Sequence, residues 1–170
     1  MSTTASATRR VTTIYCKMKD HQGQGEVSSG LEISEGIRRN DGANDPVRAE
    51  GRVFLRFFAT DQPKEQHIRT MLEPWEAFQL SRLIQQAVEA KEKVELRLAP
   101  HKFTRNGEDV VTSVLVEKWI KETRAGYAIK AMRKGLSYNI AMSETHLRWA
   151  AEMLRALAIA QAWQEREPRE

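Results

Sequence analysis

Met71-Leu72-Glu73-Pro74-Trp75-Glu76-Ala77 and Met142-Ser143-Glu144-Thr145-His146-Leu147 each follow strand-like sequence and each open a helix. Shifted by 70 positions, Ala77, Leu80, Leu83, Ile84, Ala87 and Val88 fall on Leu147, Ala150, Met153, Leu154, Leu157 and Ala158. The match is one of apolar register, with little identity. A fixed period of this size, with strands before each helix, is the mark of a duplicated structural unit. Pro74 suits a first helical position, Glu76 suits the first turn, and Ser143 suits an N-cap.

Outward from the helices, four extended runs are expected in each half. Residues 11–19 alternate, with Ile14, Cys16 and Met18 on one side and Thr13, Tyr15, Lys17 and Lys19 on the other. Gln22-Gly23-Gln24-Gly25 reads as a turn, 27–38 as a second run, and Asn40-Asp41-Gly42-Ala43-Asn44-Asp45-Pro46 as a loop into Arg52-Val53-Phe54-Leu55-Arg56-Phe57-Phe58. A short strand around 67–71 leads to the first helix, expected over 74–92. In the second half, 93–103 alternates around Val94, Leu96 and Leu98 as one strand, and Arg105-Asn106-Gly107 supplies a hairpin turn. A long run over 110–122 follows, and 127–133 then pairs with 136–142 across Lys134-Gly135. The expected fold is α+β: two ββββα repeats, antiparallel sheets backed by helices, with a long C-terminal helix. The divisions are a flexible tail at 1–9, a first repeat at 10–92, a second repeat at 93–166 forming one compact domain with the first, and a tail at 167–170.

Composition sets the outer limits. A chain of 170 residues can bury a substantial core, and 41% hydrophobic content is that of a folded protein. No apolar run approaches a bilayer span, so no membrane partner is expected. The Ser/Thr-rich start ending in Arg9-Arg10 reads as a frayed tail, the alternative being the start of a transit peptide. A single cysteine, Cys16, leaves no intramolecular disulfide framework, and the cytoplasm is the default compartment, with nucleoid association compatible. The formal charge of +4 is unevenly spread: 74–92 and 144–170 hold six Lys/Arg against eight Asp/Glu, so the remainder, mostly strand, carries +6. A sheet more basic than its helices fits a polyanion-binding surface, and solvated edge lysines are the plain alternative.

The residues at 51–58 with 68–88, and at 126–133 with 140–158, in this element order, resemble the duplicated ββββα units of the Whirly family. Similar units occur in kinetoplastid guide-RNA-binding proteins, in the PUR repeat, and singly in a dimeric transcriptional coactivator that binds melted DNA. The Lys-Gly-Lys-Ala signature of Whirly proteins is not present in this chain, and Arg133-Lys134-Gly135-Leu136 is a distant echo of it. The resemblance implies binding of single-stranded DNA or RNA, with DNA favoured, as an oligomer and without enzymatic turnover.

The residues support that expectation independently. Binding a single strand requires cations along a backbone path and flat side chains for base stacking. Alternation puts Arg52, Phe54, Arg56 and Phe58 on one face and Val53, Leu55 and Phe57 on the other, and the aliphatic face belongs against a helix. Tyr15, Lys17 and Lys19 form a similar set on the first strand. Arg97, Trp119, Lys121, Lys130 and Lys134 extend the candidate surface in the second half. The alternative for Phe54 or Trp119 is packing in a core or an oligomer interface.

The last helix carries two apolar stripes. Leu147, Ala150, Leu154, Leu157 and Ala158 form one, and Trp149, Met153, Ala156, Ala160 and Trp163 the other. One stripe covers the protein's own sheet, and the second calls for a partner, so a homo-oligomer is expected. The competing account is a helix buried on two sides within one chain. A competing function is a protein-interaction scaffold using the exposed sheet and the Trp149/Trp163 stripe.

Catalytic and metal signals are weak. His21, His67, His101 and His146 are isolated from one another and from any cysteine pair, so no metal or cofactor is expected. Gly23, Gly25 and Gly30 lack the Lys-Ser/Thr of a phosphate loop. Asp41, Asn44 and Asp45 resemble a calcium loop in composition alone.

Overall fold

A computed structural model describes residues 9–19, 25–39 and 49–162, with backbone only at 18, 19, 38, 39, 49, 103 and 105. The expected turns at 22–24 and 40–46, both tails apart from Arg9, Trp163 and the Lys19 side chain lie outside the described residues. The elements are β1 (Val11–Lys19), β2 (Glu26–Arg39), β3 (Ala49–Ala59), a single 3-10 turn (Lys64–Gln66), β4 (Ile68–Leu72) and α1 (Pro74–Glu89). There follow β5 (Val94–Arg97), β6 (His101–Arg105), β7 (Glu108–Lys121), β8 (Arg124–Arg133), β9 (Leu136–Met142) and α2 (Glu144–Gln161). The first sheet runs β1-β2-β3-β4 and the second β5-β7-β8-β9, with β6 also on β7. All of these pairings are antiparallel. The chain is thus α+β, with two antiparallel sheets and two helices, the second the longer.

One element departs from the expected plan. The run 93–103 is broken into β5 and β6, giving the second half five strand segments instead of four. Both segments pair with β7, but Arg97 lies opposite Leu115 and His101 opposite Thr112. Four steps on one side meet three on the other, so the strand carries one extra residue, a bulge. Pro100, which has no N–H for a ladder, sits in the break, and Leu98 N still donates to Val114 O at 2.9 Å. Two hairpins use two-residue turns in the left-handed region, as their right-handed twist demands. These are Asn106 (φ 51) with Gly107 (φ 78), and Lys134 (φ 35) with Gly135 (φ 82).

The duplicated register is a register of burial. Ala77, Leu80, Ile84, Ala87 and Val88 are buried, as are their counterparts Leu147, Ala150, Leu154, Leu157 and Ala158, while Leu83 and Met153 are both half-buried. The helices pack on each other. α1 also reaches β5 and β7 of the second sheet, and α2 reaches β2 and β3 of the first. One buried cluster therefore draws Leu31, Ile33, Val53, Leu55 and Phe57 together with Val116, Ile129 and Ile140. Burying each such side chain contributes about 1.5 to 3 kcal/mol.

Helix ends follow local chemistry. Glu73 N donates to the Glu76 carboxylate at 2.8 Å with Pro74 at the first helical position, and Ser143 Oγ accepts from His146 N at 3.2 Å. α1 stops at Glu89, short of the expected 92, where the buried Lys118 ammonium donates to Val88 O (3.4 Å) and to Ala90 O. Those carbonyls have no helical donor, and the cation complements the helix C-terminus.

Candidate functional site

Val53, Leu55 and Phe57 are fully buried beneath the first sheet, which directs Arg52, Phe54, Arg56 and Phe58 to its outer face. Tyr15 and Lys17 join them on β1, both well exposed. Phe54 and Phe58 do not stand up from the sheet. A Cβ on Gly36 would lie 1.8 Å from the Phe54 ring, and one on Gly30 would lie 2.6 Å from the Phe58 ring. Each ring therefore lies flat across a glycine of β2, where no side chain lifts it. Tyr15 meets the Phe58 ring edge-on at 6.0 Å.

Cations lie over both rings. The Arg56 guanidinium is 4.8 Å from the Phe58 centroid and 2.5 Å from the Glu32 carboxylate. The Arg9 guanidinium is 5.3 Å from the Phe54 centroid, 3.9 Å from Glu32, and donates to Ser34 Oγ. Arg9 was expected in a flexible tail; it is instead laid on the sheet by these contacts. Arg69 of β4 lies directly opposite Arg56 in the ladder, exposed and without an acidic partner among the described residues. Arg9, Glu32, Phe54, Arg56 and Arg69 line a cavity of about 430 Å³ on this face. Arg9 and Arg69 were missed at the sequence level. The alternation of Arg69 with Met71 on a short strand was the available signal.

Arg52 does not present a free cation. It is 5% exposed, with Nη2 2.6 Å from Glu50 and 3.8 Å from Glu73, and Nη1 donating to Gly51 O at 2.9 Å. Phe58 is also mostly covered, so of the residues singled out on this face Tyr15, Lys17, Arg9 and Arg69 are exposed, and Phe54 and Arg56 are half-buried.

The remaining candidates lie on the second sheet. Trp119 is 42% exposed and lies across Gly126 of β8, where a Cβ would come within 1.8 Å of the indole. Lys121 is exposed next to it on the same face. Lys130 pairs with Glu117 at 2.6 Å and Arg97 with Glu95 at 3.5 Å. Lys134 sits in the β8–β9 turn, paired with Glu108 at 2.5 Å, which places it at the end of the sheet instead of on its face.

Other groups are perturbed away from this face. Hydrogen bonds from Arg10 hold the Glu35 carboxyl below its usual range. Burial pushes the Tyr127 phenol up, aided by Glu144, and burial likewise pushes up Tyr138, whose hydroxyl donates to Gln66 O at 2.9 Å. Cys16 is half-buried against the core, and the described residues hold no cluster of three potential metal ligands.

On α2 the first stripe is buried and the second is open: Trp149 is 52% exposed, Ala156 and Ala160 are exposed, and Met153 is half-buried. Trp75 and Phe78 of α1 are exposed as well, which helical spacing alone did not single out.

No family model matches the sequence, and no curated protein sequence matches it. Among solved structures, the architecture is Whirly-like. WHY1 from Arabidopsis thaliana superposes with a TM-score of 0.57 at 10% identity, covering 93% of this chain and 88% of that one. The plant transcriptional regulator PBF-2 gives a TM-score of 0.53 at 11% identity, covering 92% and 84%. At such identity the likeness is one of fold.

Proposed function

We propose that the protein binds single-stranded nucleic acid, DNA in preference to RNA, with little sequence specificity and without catalytic turnover. The observation that carries this reading is the outer face of the first sheet, where Phe54 and Phe58 lie flat under the guanidiniums of Arg9 and Arg56. Bases stack on guanidinium planes as well as on rings, and such stacking is indifferent to base identity. The ion pairs around Lys17 and Lys134, both well exposed, do not oppose this. Exposed pairs contribute about 0 to 1 kcal/mol, so a phosphate can replace the carboxylate at little cost. The fold shared with a structure described as a plant transcriptional regulator supports DNA as the strand. The exposed Trp149, Ala156 and Ala160, with the half-buried Met153 between them, are assigned to self-association, because an apolar stripe of this length is stabilised by a second copy.

Fluorescence-anisotropy titration with labelled single-stranded and duplex oligonucleotides, repeated for Phe54→Ala with Arg56→Ala, tests the assignment. The single strand is expected to bind more tightly, and the double variant to lose at least ten-fold in affinity. Unchanged binding by the double variant overturns the site; binding of an apolar peptide in place of either oligonucleotide favours the scaffold reading.

A further inference from the structure

In the first sheet, Glu32, Arg56 and Arg69 stand in one row across β2, β3 and β4, each directly opposite the next. Like charges in direct register across an antiparallel pair are destabilising, and here two arginines meet. Glu32 neutralises one of them, at 2.5 Å from Arg56. Arg9 adds a third guanidinium from the chain leading into β1, and its nearest described carboxylate is the same Glu32 at 3.9 Å. Three cations thus share one anion around a cavity of about 430 Å³. Arg56 Nε is buried there with no hydrogen-bond acceptor among the described residues. A buried donor without an acceptor is costly, and a local excess of two positive charges favours an anion that brings both.

We infer that this cavity is a site for a terminal phosphomonoester, the phosphorylated end of a single strand or a free nucleoside monophosphate. An internal phosphodiester carries one negative charge and belongs to a chain that continues on both sides. A monoester carries about 1.5 to 2 near neutrality and offers three acceptor oxygens, which suits converging guanidinium forks. The volume lies within the range of small-molecule pockets, roughly 300 to 1,000 Å³. Phe54 forms one wall against which the adjoining base can rest. In its strand-end form the inference rests on the function proposed above, and the free nucleotide arm separates the two.

The test uses the full chain and one oligonucleotide sequence, internally labelled, ending in a 5′-phosphate, a 3′-phosphate or hydroxyls only. A nucleoside monophosphate and the matching nucleoside are titrated separately by calorimetry. One phosphorylated end is expected to bind at least ten-fold more tightly than the hydroxyl form. The ratio is expected to fall to about one in Arg69→Gln, with Arg69→Lys in between, because lysine keeps the charge and loses the fork. Lowering the pH from about 8 to about 5 should shrink the preference, since the second phosphate ionisation lies near 6. Thermal unfolding of each variant shows that the fold is retained, and Arg56→Gln gives a second substitution at the cavity. Equal affinity for all three strands overturns the inference and leaves strand binding standing. Binding of the monophosphate without any strand supports the cavity and sinks the proposed function; no response to any ligand ends both.

Discussion

Gly36→Ala is the most discriminating substitution in the first sheet, because it acts on a ring it does not replace. The new methyl would lie 1.8 Å from Phe54 Cε2 and 2.2 Å from Cδ2. The ring is a half-buried side chain on the outer face and can swing away, so the strand need not move. Its loss of contact with the Arg9 guanidinium, 5.3 Å from the centroid, costs about 0.5 to 1 kcal/mol. Gly36 has no left-handed φ, so alanine restricts the unfolded chain and returns about 0.4 to 1 kcal/mol. The two nearly cancel, and the melting temperature should move by less than about 4 °C. Affinity for a single strand behaves differently. Removing one stacking platform costs about 1 to 3 kcal/mol, or roughly 5- to 150-fold in Kd. Anisotropy titration of Gly36→Ala, Phe54→Ala and the double variant completes the cycle. If the methyl acts through the ring, the double variant binds no worse than Phe54→Ala alone. Full additivity, or wild-type affinity in Gly36→Ala, refutes the assignment of Phe54 as a platform.

Three further outcomes follow from the packing. Gly51→Ala would place a Cβ 2.3 Å from the backbone oxygen of Gln161, where α2 ends and no flexible tip can yield, so differential scanning fluorimetry should show a loss of about 3 to 10 °C. The Tyr127 and Tyr138 phenols are raised by burial, so their contribution is complete below the unfolded value near 10 and is lost as pH rises through the folded values. Urea midpoints should therefore hold up to about pH 10 and drop as the pH rises beyond it, and Tyr127→Phe should soften that drop. Trp149→Ser with Met153→Ser should convert an oligomer to a smaller species by light scattering with size-exclusion chromatography, and a monomeric wild type at micromolar concentration contradicts the stripe's role.

The helices were legible because their burial repeats every three or four residues, and the two registers carry the same pattern from Ala77 to Val88 and from Leu147 to Ala158. The Arg/Phe face of β3 was legible from alternation. What alternation could not supply was the company those residues keep. Glu32 meets Arg56 from 24 positions away, and Arg69 meets it only through the β3–β4 register, which the intervening loop sets. Arg52 alternates with Phe54 and Arg56 as a ligand cation would, yet Glu50, two positions before it on the same face of β3, already pairs with it. The second carboxylate, Glu73, reaches it only when the start of β3 meets the start of α1. The bulge before β6 escaped notice because 93–103 alternates through Val94, Leu96 and Leu98 as an unbroken strand would, while Pro100 interrupts the ladder. The glycines under Phe54, Phe58 and Trp119 are likewise cross-strand relations, invisible along a single strand.

The salt dependence of single-strand affinity tests the central claim most directly. Titrations between about 50 and 200 mM salt should give log K falling linearly with log salt, with a slope of about −0.7 for each phosphate engaged, and tighter binding of the single strand than the duplex throughout. Affinity that does not respond to salt, or no binding at the lowest salt, contradicts the account.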